Sequence, residues 1–299
     1  MGIEVKICEK TLKNPIIMAS GTYGFGEEYK RFYDPSILGG ISSKGLTLNA
    51  KPGNKGIRIW ETPSGIMNSI GLENPGVKQF VEEIAPKMNQ LGTKVFVNLG
   101  GNSLEEYLEA TEMLNDIEMD FLELNISCPN VKEGGMAFGL RCEDAGFITG
   151  EVKKRTKHPL IVKLSPNGDA ISELAKHCEA EGADGISLVN TFQALAVDVR
   201  KKEFVFDNIT AGLSGPAIFP IALRMVREAA GAVKIPVIGM GGIQSVEDVL
   251  AMLMVGASAV QIGTMNFSRP RIGEELIQGL EEYVKKEKLK SIEEIVGIL

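Results

Sequence analysis

The stretch Asn125-Ile-Ser-Cys128-Pro-Asn130 sets one thiol between two carboxamides, directly after an apolar run. A thiolate can abstract a carbon-bound proton, and with a reference pKa of about 8.5 it does so best in mildly alkaline solution. An isolated cysteine is more often a small core residue. Cys128, however, lies past the end of a strand-like run, before Pro129 and among asparagines, and that setting favours the catalytic reading. Lys44 and Lys163 end other apolar runs; both are expected to be buried, where they would hold an anion or the electron-rich edge of a cofactor. Asn68, Asn125, Asn130 and Asn190 offer paired donors and acceptors suited to a heterocycle with ring N–H and C=O groups. Gly241-Gly242 and Gly263-Thr264 let backbone N–H groups close on phosphate oxygens, with Ser245 opening the next helix. Each signal is weak alone, since a lone Gly-Gly is usually a turn. Together they point to a phosphorylated cofactor and a small planar substrate.

Other chemistries are missing. His158 and His177 are the two histidines; one precedes Pro159 and the other lies inside a helical pattern, so neither is placed as a general base. No H-x-x-H, carboxylate cluster or G-x-S-x-G suggests a metal or a serine triad. The four cysteines form no C-x-x-C, so no zinc ribbon or iron–sulfur cluster is expected within the chain. The net charge of −7 opposes nucleic acid as the main ligand. No apolar run approaches the roughly 20 residues needed to span a bilayer, and the N-terminus lacks a signal-peptide core. The expected location is the cytoplasm.

Eight apolar runs must position these residues: 15–20, 40–44, 94–100, 121–127, 160–165, 185–190, 236–242 and 259–264. Most are nearly all apolar rather than alternating, as in parallel strands covered on both sides. Helical patterns at 74–91, 103–116, 170–181, 216–230 and 245–255 separate them. Strand–helix alternation over 299 residues predicts an α/β fold, a (β/α)8 barrel of one domain spanning residues 1–299. A doubly wound sheet would carry G-x-G-x-x-G after its first strand, and Gly21-Thr-Tyr-Gly24-Phe-Gly26 has the wrong order. Segments 46–68 and 191–212 exceed ordinary loops and contain hairpin-like pieces, the latter with β-prone runs at 194–199 and 203–206. Both leave strand C-termini, where barrel active sites sit, and suggest a lid or a partner surface.

Taken with Ser43-Lys44-Gly45-Leu-Thr, Asn68-Ser-Ile-Gly71-Leu72-Glu-Asn-Pro-Gly, Val162-Lys163-Leu-Ser-Pro, Gly212-Leu-Ser-Gly215-Pro and Gly239-Met-Gly-Gly242-Ile, the cysteine motif resembles the dihydroorotate dehydrogenases over essentially the whole chain. The resemblance implies oxidation of dihydroorotate to orotate, on the route to UMP, with one FMN per chain. It implies FMN contacts from Ser20, Lys44, Gly45, Asn98, Asn125, Lys163, Val189, Gly215, Gly241, Gly242, Gly263 and Thr264. Substrate contacts would come from Lys44, Asn68, Ser69, Ile70, Gly71, Leu72, Asn125, Asn130, Asn190 and Thr191. Cys128 would remove the C5 proton while a hydride leaves C6 for the flavin, and Lys163 would stabilise the negative charge of the reduced ring. The segment from Asn130 to Gly139 resembles the NAD-linked soluble type. That type pairs a catalytic homodimer with a second subunit carrying FAD and a 2Fe–2S cluster, giving a heterotetramer. The fumarate-linked soluble type is the alternative. Further rivals are a dihydropyrimidine-reducing barrel, a dihydrouridine synthase, which the acidic charge opposes, and a non-catalytic phosphate-binding barrel, which has no need of Cys128.

Overall fold

Apolar strands short enough to be covered at every residue build the centre of the molecule. In chain order they are β1 (Ile16–Met18), β2 (Gly40–Ser42), β3 (Lys94–Leu99), β4 (Phe121–Asn125), β5 (Leu160–Lys163), β6 (Gly185–Leu188), β7 (Val237–Met240) and β8 (Ala259–Ile262). The structure is a computed structural model and describes residues 2–126 and 138–299. Each strand pairs in parallel with the next, and β8 pairs back onto β1 from Val260↔Ile16 to Ile262↔Met18, closing the barrel. In six of the eight strands every residue is buried, which explains why the sequence runs are continuous rather than alternating. All eight expected strands are present, each inside its predicted run.

Helices Leu104–Leu114, Ile171–Ala180, Phe219–Ala230 and Val246–Met254 follow the sequence reading within a few residues. Ser103 caps the first of them through Glu106 N–H. The helix expected over 74–91 starts later, at Val77, and is broken by a wider turn over Phe80–Ile84 just before Pro86. Proline has no N–H to give to the preceding turn. Asn74 instead bridges loops: its Oδ1 accepts from Thr47 and Gly76 N–H, and its Nδ2 donates to Thr47 Oγ1 and Leu72 O. Helices Cys142–Lys153 and Ile272–Glu287 complete the outer layer without having been anticipated. So does a hairpin, Val5–Ile7 with Lys10–Leu12. It closes the N-terminal end of the barrel, where Lys10 pairs with Asp120 at 3.1 Å and Cys8 Sγ donates to Asp184 O.

At the opposite end the two long loops join. Strands Ile59–Thr62, Gly65–Asn68, Thr210–Ser214 and Phe192–Leu195 form one antiparallel sheet, with Gly65–Asn68 paired to Thr210–Ser214 across the two loops. A small second core of Met67, Val205, Phe206 and Ala211 lies under it. Val197–Asp198 and Glu203–Phe204 pair in a further short hairpin. The expectation of inserted hairpins at this face holds.

Candidate active site

Residues at the C-terminal ends of parallel strands face one another across the mouth of the barrel, because the strands tilt together and their last inward-pointing side chains have no layer above them. Three groups of expected site residues meet there. Around Gly45, a side chain as small as a methyl would come within 3.0 Å of Asn98 Oδ1, 3.6 Å of Leu72 Cδ2 and 3.8 Å of Ser20 Oγ. Asn190 Nδ2 donates to Asn125 Oδ1 at 3.3 Å, and Thr191 N–H donates to Asn190 Oδ1 at 2.8 Å. In the third group Gly215, Gly242 and Thr264 converge. A Cβ on Gly242 would lie 2.9 Å from Gly215 O, and one on Gly215 would lie 3.5 Å from Thr264 Cγ2. Gly215 and Gly242 both hold positive φ, at 103° and 76°, which glycine adopts without strain. Among the described residues, the N–H groups of Gly242, Gly263 and Thr264 donate to no backbone carbonyl, and Gly215 opens the turn that leads into helix Phe219–Ala230. Such a cradle fits a phosphate. Ser245 takes no part, because its hydroxyl caps its own helix through Asp248 N–H.

The expected substrate segment is fixed from behind. Asn68 Nδ2 donates to Gly212 O, Ser69 N–H to Arg58 O, and Asn54 N–H to Ile70 O. Asn54 Nδ2 also reaches Ser69, and Arg58 pairs with Glu73. Gly71 has φ 75° and Leu72 φ 53°, so the chain turns sharply and points Leu72 back at Gly45. Val189 N–H donates to Met240 O, which ties the end of β6 to β7. Gly241 packs on Ala222 and Val189, with no room for a side chain.

Lys163 is buried, 5% exposed, as expected. Lys44 is not; it is half-buried at the rim, since it lies two residues past the end of β2 rather than within it. Cys128 and Asn130 lie outside the described residues. The histidines stand apart: His158 is near Lys10 at the N-terminal end, where burial and that cation hold its imidazole below the usual value. His177 Nδ1 sits 2.9 Å from Glu173 O on an outer helix. Burial pushes the thiols of Cys8 and Cys142 up to about 11 and that of Cys178 to about 12, which leaves them inert at neutral pH. Among the described residues, no group of three or more His, Cys, Asp or Glu could hold a metal. Two surface grooves, one between helices Cys142–Lys153 and Ile171–Ala180 and one along the N-terminal hairpin, lie away from the converging amides.

One residue was overlooked. Glu123, on β4 and two positions before Asn125, is fully buried inside the barrel. Its Oε2 accepts from Ser42 Oγ and Asn98 Nδ2, both at 2.7 Å, and its Oε1 from Ser187 Oγ at 2.9 Å and Gln261 Nε2 at 2.6 Å. Burial works to raise its pKa, but the Lys163 charge and these hydrogen bonds more than offset it and hold the carboxyl below its ordinary value. A glutamate between two leucines in an otherwise apolar strand was the available signal.

The sequence matches the family model described as dihydroorotate dehydrogenase over residues 2–284. It is 53% identical to the dihydroorotate dehydrogenase B (NAD(+)) catalytic subunit of Petrotoga mobilis, over 99% of both chains. Proteins of the same description from Thermoanaerobacter pseudethanolicus and Porphyromonas gingivalis are 49% and 47% identical, over 100% and 97% of this chain and 99% and 94% of theirs. No helix among the described residues is long and apolar enough to cross a membrane.

Proposed function

Since this chain belongs to the dihydroorotate dehydrogenase family, we propose that it is the flavin-bearing catalytic subunit of an NAD-linked enzyme that oxidises dihydroorotate to orotate in pyrimidine biosynthesis. The observation that carries the reading is the convergence of a buried lysine, paired asparagines and a glycine-lined cradle at one barrel end, in a chain about half identical to catalytic subunits of that activity.

FMN fits the residues present. The cradle of Gly215, Gly242, Gly263 and Thr264 leaves N–H donors for a phosphate. Asn98 Oδ1 is buried and lacks a partner among the described residues, as an acceptor reserved for a bound group would be. Ser20, Lys44, Gly45, Asn125, Lys163, Val189 and Gly241 would complete the contacts to the cofactor. Bound FMN supplies a two-electron acceptor. Lys163 would offer positive charge to stabilise the negative charge of the reduced ring. Asn68 through Leu72, Asn125, Asn190 and Thr191, with Lys44 and Asn130, orient the planar substrate. Cys128 takes the C5 proton onto Sγ as the hydride departs from C6.

The relatives' description as catalytic subunits supports a separate electron-transfer subunit, which in this family type carries FAD and 2Fe–2S. The catalytic chain works as one unit over residues 1–299, in the cytoplasm, as a homodimer within a heterotetramer. Apolar side chains on the joined loops support an assembly surface: Leu195, Val197, Val199 and Phe204 are exposed, Val199 by 80%.

The test is anaerobic mixing of the purified chain with dihydroorotate. The flavin absorbance should bleach, then stall with NAD alone and recover with an artificial acceptor. A chain without FMN, or one whose flavin ignores dihydroorotate, would refute the reading. Fast NAD reduction without a second polypeptide would refute the partner, and efficient fumarate turnover would assign the other soluble type. Light scattering that finds a monomer would refute the dimer.

A further inference from the structure

We propose that Glu123 is a positioning residue of the flavin site: it balances the charge of Lys163 through space while fixing the Asn98 carboxamide, and so leaves the ammonium's donors free for the cofactor. The inference rests on the flavin reading above.

Among the described residues, Glu123 and Lys163 are the only buried charged side chains. Ordinarily two such groups form a contact ion pair. Here the carboxylate is instead filled by four neutral donors, two on each oxygen, from β2, β3, β6 and β8. Lys163 makes no hydrogen bond or ion pair with a described residue. Register explains the separation. On the neighbouring strands Lys163 lies opposite Asn125 and Ser187, whereas Glu123 lies opposite Ile161, one inward layer deeper. The remaining groups on the carboxylate are uncharged. Lys44 is at the rim and acts on Glu73.

A purely structural role does not need a charge. Buried carboxylates cost several kcal/mol to desolvate, and uncharged groups hold strands together as well or better. The charge makes sense as compensation for Lys163, the other buried charged side chain among the described residues. A direct salt bridge would compensate too, but it would occupy the donors that the cofactor needs. Spacing the pair by one layer sets a compensating charge near the ammonium and leaves its N–H groups available. The same carboxylate holds Asn98 Nδ2, so that Oδ1 is the atom left over beside Gly45.

Glu123→Gln preserves shape and removes the charge. With FMN bound, its midpoint potential at pH 6, read by dye equilibration, should shift positive, because Lys163 is then uncompensated. Glu123→Asp, which keeps the charge, should retain the wild-type potential. A fully loaded Gln variant with the wild-type potential would overturn the proposal. A second arm needs neither flavin nor a Glu123 variant: Lys163→Met should move acid unfolding of the apoprotein to higher pH, because Glu123 then takes up its proton sooner. An unchanged acid transition would overturn the charge balance. Wild-type protein without FMN would instead defeat the flavin reading, and this arm would still decide the pairing.

Discussion

Gly242→Ala puts a methyl where the barrel has no space for one. The new Cβ would lie 2.7 Å from Phe219 N, 2.8 Å from Phe219 Cβ and 2.9 Å from Gly215 O. Two of these are backbone atoms, so relief to an ordinary 3.4 Å contact requires the turn before helix Phe219–Ala230 to move by about 0.5–0.7 Å. Alanine also resists the φ of 76°, at a cost of roughly 1–2 kcal/mol. That strain lowers stability, but the displacement acts on ligand affinity. Misplacing one N–H that meets a phosphate oxygen forfeits a charge-assisted hydrogen bond of about 1.5–3 kcal/mol, or roughly 10–150-fold in Kd. Quenching of FMN fluorescence on titration with apoprotein measures this directly. Gly182→Ala is the control. It has φ 94° and comparable strain, yet its nearest neighbour is Lys153 Cγ at 3.1 Å, a flexible side chain far from the cradle. It should melt earlier and bind FMN normally. A Gly242→Ala protein that binds FMN within about twofold of wild type would refute the phosphate cradle.

Cys128→Ala should slow flavin reduction by dihydroorotate by about 10²–10⁴ while orotate affinity survives; an unchanged stopped-flow rate removes Cys128 as the base. At pH 8 the three described cysteines carry only about 10⁻³ to 10⁻⁴ thiolate at their raised pKa values. Thiol labelling of folded protein should therefore show one fast site, lost in Cys128→Ala, and several fast sites would contradict the burial of the others. Asp120 accepts from Val95 N–H and from Lys94 and Lys10, contacts that outweigh its desolvation and depress its pKa. Its stabilisation is therefore complete above the unfolded value near 4 and lost as pH falls below it. Asp120→Asn should cost about 1–2 kcal/mol at neutral pH, allowing for partial solvent screening, and flatten that acid slope, both measurable by urea unfolding. Equal stability at pH 7 would remove Asp120 as the anchor of the N-terminal hairpin.

The eight strands are legible because burial on both faces leaves nothing but apolar runs. Their ends are read too long: Asn190 and Gly242 continue the pattern but lie beyond the ladder. Helix Cys142–Lys153 is hidden by Gly146 and Gly150, poor helix formers that let it approach His177 and Glu181 on its neighbour. The N-terminal hairpin escapes notice because three-residue strands carry almost no periodicity. Among the expected site residues, those drawn from family motifs include several that the structure brings together at the barrel mouth. The half-exposure of Lys44 is not legible, since it turns on two residues of strand length. Glu123 stands out in its apolar strand, but its role is not readable, because its partners are scattered along the chain and only closure brings them together.

That scattering has a bearing on how the barrel forms. The four donors to Glu123 are 25, 64, 81 and 138 residues away in sequence. A half-barrel of β1 to β4 offers only Ser42 and Asn98, leaving one carboxylate oxygen bare of partners. Any collapsed intermediate or swapped assembly that omits β6 or β8 must bury that oxygen unsatisfied, at roughly 1–3 kcal/mol or more, or keep the barrel open to water. Non-local contacts of this kind form late. The network thus acts as a checksum on strand order: it rewards the completed ring and penalises each partial one.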